Sequence, residues 1–308
     1  MPSAEQGRVA FTPPGQICKR YRRRTATPEG HVVHRLAGAF RAKFVGQALQ
    51  ASSPQGRFAE GAAVLDGLRL EAAEAWGKQL GLRFAGGVWL RVHLGLYGMW
   101  RFHGPGLRGH GRRATGPAHE GEGPPPPRGV VRLRLAGARH VADLSGPTAC
   151  KLLDQAGLDA FVAGLGADPL RPDADPERAW RVIHASRSPL AVLLMRQDVI
   201  AGIGNIYRAD LLFRARLPPM LPGRDLPRPA WEALWADTAR LLADGVRDGR
   251  IVTTAPEHRD RKTGPARTGD AFYVAHREGK PCRVCGTPVQ AAPLAGRTLY
   301  WCGVCQAG

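Results

Sequence analysis

Four cysteines near the C-terminus carry the plainest chemistry in this chain. Cys282 and Cys285 are two residues apart, as are Cys302 and Cys305, and 16 residues separate the pairs. Two such knuckles place four thiolates around one tetrahedral zinc ion. A closed four-sulfur shell leaves no position for a substrate, so the metal would be structural. A module this short cannot bury enough apolar surface to fold alone, and metal binding would supply its folding energy. Between the knuckles Arg297 falls at a hairpin tip, where it is either an exposed basic residue or a phosphate contact.

A second candidate is the run Asp198 to Asp210, which contains Gly202-Ile203-Gly204-Asn205. The glycines let backbone approach closely, and Asn205 stands where a capping residue opens a helix whose free N–H groups suit a phosphate. A dinucleotide-binding loop is excluded, because Tyr207 stands at the third glycine position and no strand-rich unit surrounds it. Thr27-Pro28-Glu29-Gly30-His31 has the form of an ordinary helix start, with Pro in the first turn and Glu at the positive dipole end. His31 and His34 are three apart, a spacing that suits either a shared metal or two exposed helical histidines.

These residues need elements to hold them. Val33, Leu36, Phe40 and Phe44 recur at helical intervals, which predicts a leading helix over 32–44. Val64–Leu70, Gln79–Phe84 and Val88–Leu94 alternate or run apolar between glycine turns and read as antiparallel strands, and strand character returns at Val130–Leu135. From Pro147 onward the pattern is helical, at Thr148–Ala156, Pro176–His184, Ala191–Gln197, Tyr207–Arg214 and Pro229–Arg247. Residues 104–129, with four consecutive prolines, read as an insert that packs no core. The predicted fold class is multidomain α+β. Its divisions are a basic extension at 1–26, disordered or untranslated; a domain of antiparallel sheet with a leading helix at 27–146; a helical domain at 147–254; and a loop plus zinc module at 255–308.

Composition narrows the partner. The chain has 308 residues with 44 Lys plus Arg against 26 Asp plus Glu, a net charge of +18, and only six of the basic residues are Lys. An excess of this size favours a polyanion, most simply nucleic acid. No apolar run approaches the ~18 residues of a membrane helix, and the N-terminus lacks a signal-peptide core. Four of the six cysteines crowd the last 27 residues, unlike a secreted disulfide framework. A cytoplasmic, nucleoid-associated location is expected.

In order along the chain stand Pro28-Glu29-Gly30, a strand-borne Gly77-Lys78, His93-Leu94-Gly95-Leu96-Tyr97-Gly98, Ile200 to Arg208, and Gly279 to Gly286. This set resembles the formamidopyrimidine-DNA glycosylase/endonuclease VIII family of bifunctional base-excision repair enzymes, over nearly everything from Thr27 to Gln306. The resemblance implies a β-sandwich, a helix–two-turn–helix domain and a zinc ribbon, with damaged duplex DNA held by a monomer in a basic cleft. It implies that Pro28 is the nucleophile, through a free secondary amine that attacks C1′ and leads to β- and δ-elimination. Glu29 would be the acid/base carboxylate, and Lys78 would contact phosphate and assist near the sugar. Asn205 and Arg297 would grip phosphates. Leu96 and Tyr97 would either wedge into the gap left by a flipped nucleotide or be plain sheet core.

Three departures bear on activity. Val32 replaces a glutamate usual in the family. Ser145-Gly146-Pro147-Thr148 stands where the formamidopyrimidine branch has Arg-Arg-Phe-Gly, which with Leu96-Tyr97 leans the chain towards endonuclease VIII and oxidised pyrimidines. Thr27 replaces the initiator Met, and 26 residues precede it, so Pro28 has a free amine only if translation or processing makes it the mature N-terminus. Without that, the chain reads as a non-catalytic binder of damaged DNA.

Overall fold

A computed structural model of the chain describes residues 28–105 and 126–307. The extension at 1–26, Thr27 and most of the 104–129 insert lie outside the described residues. The leading helix α1 spans Gly30–Lys43, and its apolar residues Val33, Ala37 and Phe40 share one buried face. Two four-stranded antiparallel sheets accompany it. One has the order β2 (Leu70–Trp76), β3 (Gln79–Phe84), β4 (Val88–His93), β8 (Ala149–Leu153). The other runs β1 (Gln50–Ser52), β6 (Leu133–Ala136), β7 (Val141–Ser145), β5 (Met99–His103). Alternate residues Leu80, Leu82 and Phe84 of β3 face the core, as period-two patterning requires. Leu133, Leu135 and Leu144 of the second sheet join the same cluster. Phe40 meets Trp100 edge-on, with 4.9 Å between ring centroids, and ties α1 to the second sheet.

The remaining core is helical. Helices α3 (Gln155–Ala163) and α4 (Pro176–His184) open on Asp154 and Asp175, whose side chains accept from Gly157 N–H and Glu177 N–H. A short α5 (Leu190–Leu193) leads through successive turns into α6 (Asn205–Arg214), and the long α7 (Arg228–Asp248) packs beside it. Leu211, Leu212, Trp231 and Leu242 centre this cluster, and Cys282, Leu299 and Cys302 of the C-terminal module belong to it. That module is a hairpin of β9 (Gln290–Leu294) and β10 (Arg297–Trp301). The mixed α+β organisation expected from the sequence is the one observed. Among the described residues, no helix is long and apolar enough to cross a membrane.

Several local expectations are corrected. Val64–Leu70 is not a strand: helix α2 covers Ala59–Leu65, packing Ala62 and Leu65 inward while Val64 is exposed, and the strand begins at Leu70. Alanine-rich sequence favours that helical turn. Thr148–Ala156 is not a helix either. Ala149–Leu153 pairs along Val88–His93, and sheet pairing overrides local preference until Asp154 caps the next helix. Gly77-Lys78 is not within a strand but forms the two-residue turn between β2 and β3. Leu96 and Tyr97 are not sheet core: they lie in the turn between β4 and β5, with Tyr97 63% exposed.

Candidate active site and metal centre

Three glycines from distant segments let the site form. Gly30 N–H, at the start of α1, donates to Gly202 O at 2.8 Å. A Cβ at Gly30 would lie 2.8 Å from Gly202 Cα, and one at Gly77 would lie 2.6 Å from Gly202 N, so neither position admits a side chain without backbone displacement. Gly77 and Gly202 also hold φ values of +56° and +103°, which glycine alone adopts without strain. This contact draws the start of α1, the β2–β3 turn and the start of α6 together. Glu29 and Lys78 adjoin Gly30 and Gly77, and Asn205 follows Gly202 by three residues.

Glu29 is fully buried. Its carboxylate accepts from Gly204 N–H at 2.8 Å and Ile206 N–H at 2.9 Å, with Tyr207 N–H at 3.5 Å. These are the orphan donors of the α6 N-terminus, so the cap is supplied from 175 residues away. This corrects the expected capping by Asn205. Gly204 is the N-cap residue and has no side-chain cap, while Asn205 is the first helical residue. Burial raises the Glu29 carboxyl above its ordinary range, opposed by the Lys78 charge and the backbone N–H groups. Burial lowers the Lys78 ammonium; Glu29 opposes that shift, and Arg297 adds to it.

The hairpin of the C-terminal module closes on the same helix. Asn205 Nδ2 donates to Thr298 O at 2.9 Å. Arg208, one turn further along α6, is buried; it hydrogen-bonds Asn205 Oδ1, donates to Thr298 O at 3.1 Å and reaches Ala191 O at 3.3 Å. Burial pulls the Arg208 guanidinium down to about 10, with Glu29 opposing and Arg297 adding to the shift. Arg297 is exposed at the start of β10, beyond the tight turn formed by Ala295 and Gly296. Lys78, Arg208 and Arg297 therefore form a cationic group around one buried carboxylate, an arrangement that attracts an anion.

Of the residues singled out in the sequence, Glu29, Lys78, Asn205 and Arg297 come together, and Pro28 adjoins them as the residue before Glu29. Leu96 and Tyr97 stand on the loop after β4. Val32, at the usual glutamate position, is half-buried and packs against the sandwich core. His31 and His34 do not converge on a metal. His31 is buried edge-on to Tyr207, with burial lowering it to about 4, whereas His34 pairs with Asp168 at 2.7 Å. Two residues stand in the sequence motifs without an individual role assigned from the sequence. His93 lies near enough to Lys78 that, after burial, the lysine charge lowers it further. Arg208 was visible only as a charge on the buried face of a helical pattern.

The four cysteine sulfurs lie within 4.8 Å of one another. Cys282 Sγ and Cys305 Sγ are 3.8 Å apart, and Cys285 Sγ and Cys302 Sγ are 3.4 Å apart. A tetrahedral ion with sulfur ligands at about 2.3 Å needs S···S separations of roughly 3.8 Å. Val284 N–H and Cys305 N–H point at Cys282 Sγ and Cys302 Sγ, as the knuckle geometry of a thiolate site requires. The donor set fits a structural metal.

Comparison with known proteins bears on all three parts. The formamidopyrimidine-DNA glycosylase N-terminal domain matches residues 27–146, the formamidopyrimidine-DNA glycosylase H2TH domain matches 165–256, and the zinc finger found in FPG and IleRS matches 279–308. The chain is 44% identical over 280 residues to endonuclease 8 1 of Mycobacterium tuberculosis, covering 91% of this chain and 99% of the relative. It is 32% identical over 242 residues to the formamidopyrimidine-DNA glycosylase of Thermomicrobium roseum, covering 77% and 82%. Among solved structures, the MutM (Fpg) protein of Thermus thermophilus superposes with a TM-score of 0.69 at 27% identity, over 91% of this chain and 99% of that one. The Lactococcus lactis Fpg bound to N7-benzyl-Fapy-dG DNA shares the fold, with a TM-score of 0.72 at 19% identity over 91% and 100%.

Proposed function

The chain belongs to the formamidopyrimidine-DNA glycosylase/endonuclease VIII family of DNA N-glycosylases with apurinic/apyrimidinic-lyase activity, and from that premise we propose that it excises oxidised pyrimidines from duplex DNA through a Schiff base on Pro28. The observation that carries this reading is the buried Glu29 carboxylate beside Pro28, held by the α6 N-terminus and facing Lys78.

With Pro28 as the mature N-terminus, its secondary amine has a pKa of about 8 and is partly unprotonated at neutral pH. Attack forms the N–C1′ bond, and the base leaves with the glycosidic electron pair and takes a proton. Ring opening gives an iminium ion. That cation acidifies the C2′ proton, whose removal expels the 3′ phosphate; a second elimination expels the 5′ phosphate. Glu29 is the acid/base group. Burial raises its pKa and lets it hold a proton nearer neutral pH, as a donor to the sugar must. Lys78, its ammonium destabilised by burial, sits at the reacting sugar and its phosphate. Asn205 and Arg297 grip the backbone, and Leu96 and Tyr97 on their exposed turn fill the space of the flipped nucleotide.

The pyrimidine preference rests on Gly95-Leu96-Tyr97-Gly98 and on Ser145–Thr148 in place of the formamidopyrimidine-type stretch. The four cysteines hold one zinc ion, which keeps the β9–β10 hairpin, and so Arg297 and Thr298, against α6. The protein acts as a monomer with working units at 27–146, 147–254 and 255–308. The match of the N-terminal family model from residue 27 supports Pro28 as the first mature residue.

Borohydride trapping tests the reading. A chain beginning at Pro28 is expected to cross-link to duplex carrying an oxidised pyrimidine more readily than to one carrying an oxidised purine, and the full chain is expected not to cross-link without processing. Salt-dependent binding of damaged duplex by both forms, with a cross-link from neither, would replace this reading by that of a non-catalytic binder.

A further inference from the structure

Outside the residues assigned above, one buried carboxylate touches both α1 and the β2–β3 turn. Asp168 is 4% exposed. Its Oδ2 accepts from Gly77 N–H at 2.6 Å and from His34 Nε2 at 2.7 Å, and its Oδ1 accepts from Leu170 N–H at 3.0 Å. A carboxylate only accepts, so His34 Nε2 carries the proton. The neighbouring residue, Ala167, receives Ala201 N–H at 2.9 Å, which places the Asp168 backbone against the loop that meets Gly30 and Gly77. Among the described residues, His34 is the only side chain that hydrogen-bonds Asp168. His34 lies on α1, the helix that Pro28 and Glu29 open, and Gly77 is the residue before Lys78.

We infer that His34 is a positioning residue: through Asp168 and the Gly77 N–H it fixes the turn that presents Lys78 relative to the helix that presents Pro28 and Glu29. Close packing against the Ala201–Gly202 backbone holds Gly77 on one side, and the Asp168 carboxylate is the hydrogen-bond acceptor that fixes the direction of its N–H. Removing the imidazole leaves Asp168 buried with only backbone donors. It then reorients or draws in water, and the Gly77 N–H moves with it. Displacement of a catalytic group by about 1 Å costs on the order of 100-fold in rate. The inference rests on the role proposed for Lys78, so it needs one test that depends on activity and one that does not.

In the protein with Pro28 as its N-terminus, His34→Phe is expected to slow single-turnover elimination at an abasic site by about 10- to 100-fold at saturating duplex. The half-saturating DNA concentration should stay within about threefold, and His34→Gln, which keeps a donor at that reach, should recover most of the rate. A His34→Phe rate per trapped active site equal to the unmutated protein's, or a defect confined to DNA affinity or melting temperature, overturns the inference. In the full chain, without DNA, acetic anhydride labelling of Lys78 followed by peptide mass mapping should rise at least about threefold in His34→Phe and not in His34→Gln. Unchanged labelling overturns the inference even where no elimination is seen, whereas increased labelling in an inactive protein leaves it standing and removes the proposed function instead.

Discussion

The cysteine module and the glycine junction both meet the N-terminal part of α6 and are held in opposite ways. In the module, four ligands from two short knuckles meet at one point, and what sits between them is small hairpin. In the junction, no two partners are close in the chain. Glu29 reaches Gly204 and Ile206 across 175 and 177 residues, and Gly77 reaches Asp168 across 91. The module concentrates its stability in a single ion, while the junction spreads it over close backbone contact and the burial of ionisable groups. A loss of the metal should therefore be all-or-none, and damage to the junction should be graded.

The largest expected effect is on the module. Cys302→Ser, or prolonged chelation, removes a contribution that is on the order of 10 kcal/mol in isolated zinc modules. The hairpin should unfold, Asn205 and Arg208 should lose Thr298, and DNA affinity should collapse while the sandwich stays folded. Hydrogen exchange confined to 279–307, together with a binding isotherm, checks this. Melting of the whole chain in one step would show that the two regions are not separable.

Glu29→Gln comes next. The amide keeps the shape but cannot shuttle a proton, so base excision should fall by about 10²- to 10⁴-fold with DNA binding nearly unchanged. Excision within a few-fold of the unmutated rate would remove Glu29 from the chemistry.

The difference between the regions also decides what could be read from the chain. The Cys-x-x-Cys pairs were legible because ligand spacing is a local property. The leading helix was legible because Val33, Phe40 and Phe44 mark one face. Ala149–Leu153 was misread because its partner strand lies at Val88–His93, and nothing in five residues announces a distant edge. The placing of Glu29 and Lys78 could be carried over only from a family resemblance, since no spacing rule spans such distances. Asp168 and Arg208 received no role from the sequence because a buried charge and a solvated one look alike there until burial is known.

A pH series sharpens the contrast further. His31 is buried beneath Tyr207 and is lowered from 6.5 to about 4. Between those values the unfolded chain binds a proton that the folded chain refuses. The stability tied to neutral His31 is fully present above about pH 6.5 and is lost as pH falls towards 4, up to about 3 kcal/mol. Urea denaturation of His31→Leu should lack this portion of the acid sensitivity. An identical pH slope in the variant would show that the junction does not depend on that buried imidazole.

The smallest effect belongs to Arg297→Ala. Its guanidinium is exposed, so stability should be unaffected. Loss of one phosphate contact should weaken DNA binding uniformly across lesions and reduce the slope of log affinity against log salt by about 1. An unchanged slope would place Arg297 outside the DNA contact.

The most direct measurement is proteolytic mass mapping of the protein purified from its own cells after borohydride trapping on an oxidised-pyrimidine duplex. The expected product is an N-terminal peptide that begins at Pro28 and carries the reduced deoxyribose on its nitrogen. A mature chain that retains residues before Pro28 and bears no adduct, or an adduct borne by Lys78, would contradict the assignment of Pro28 as the nucleophile.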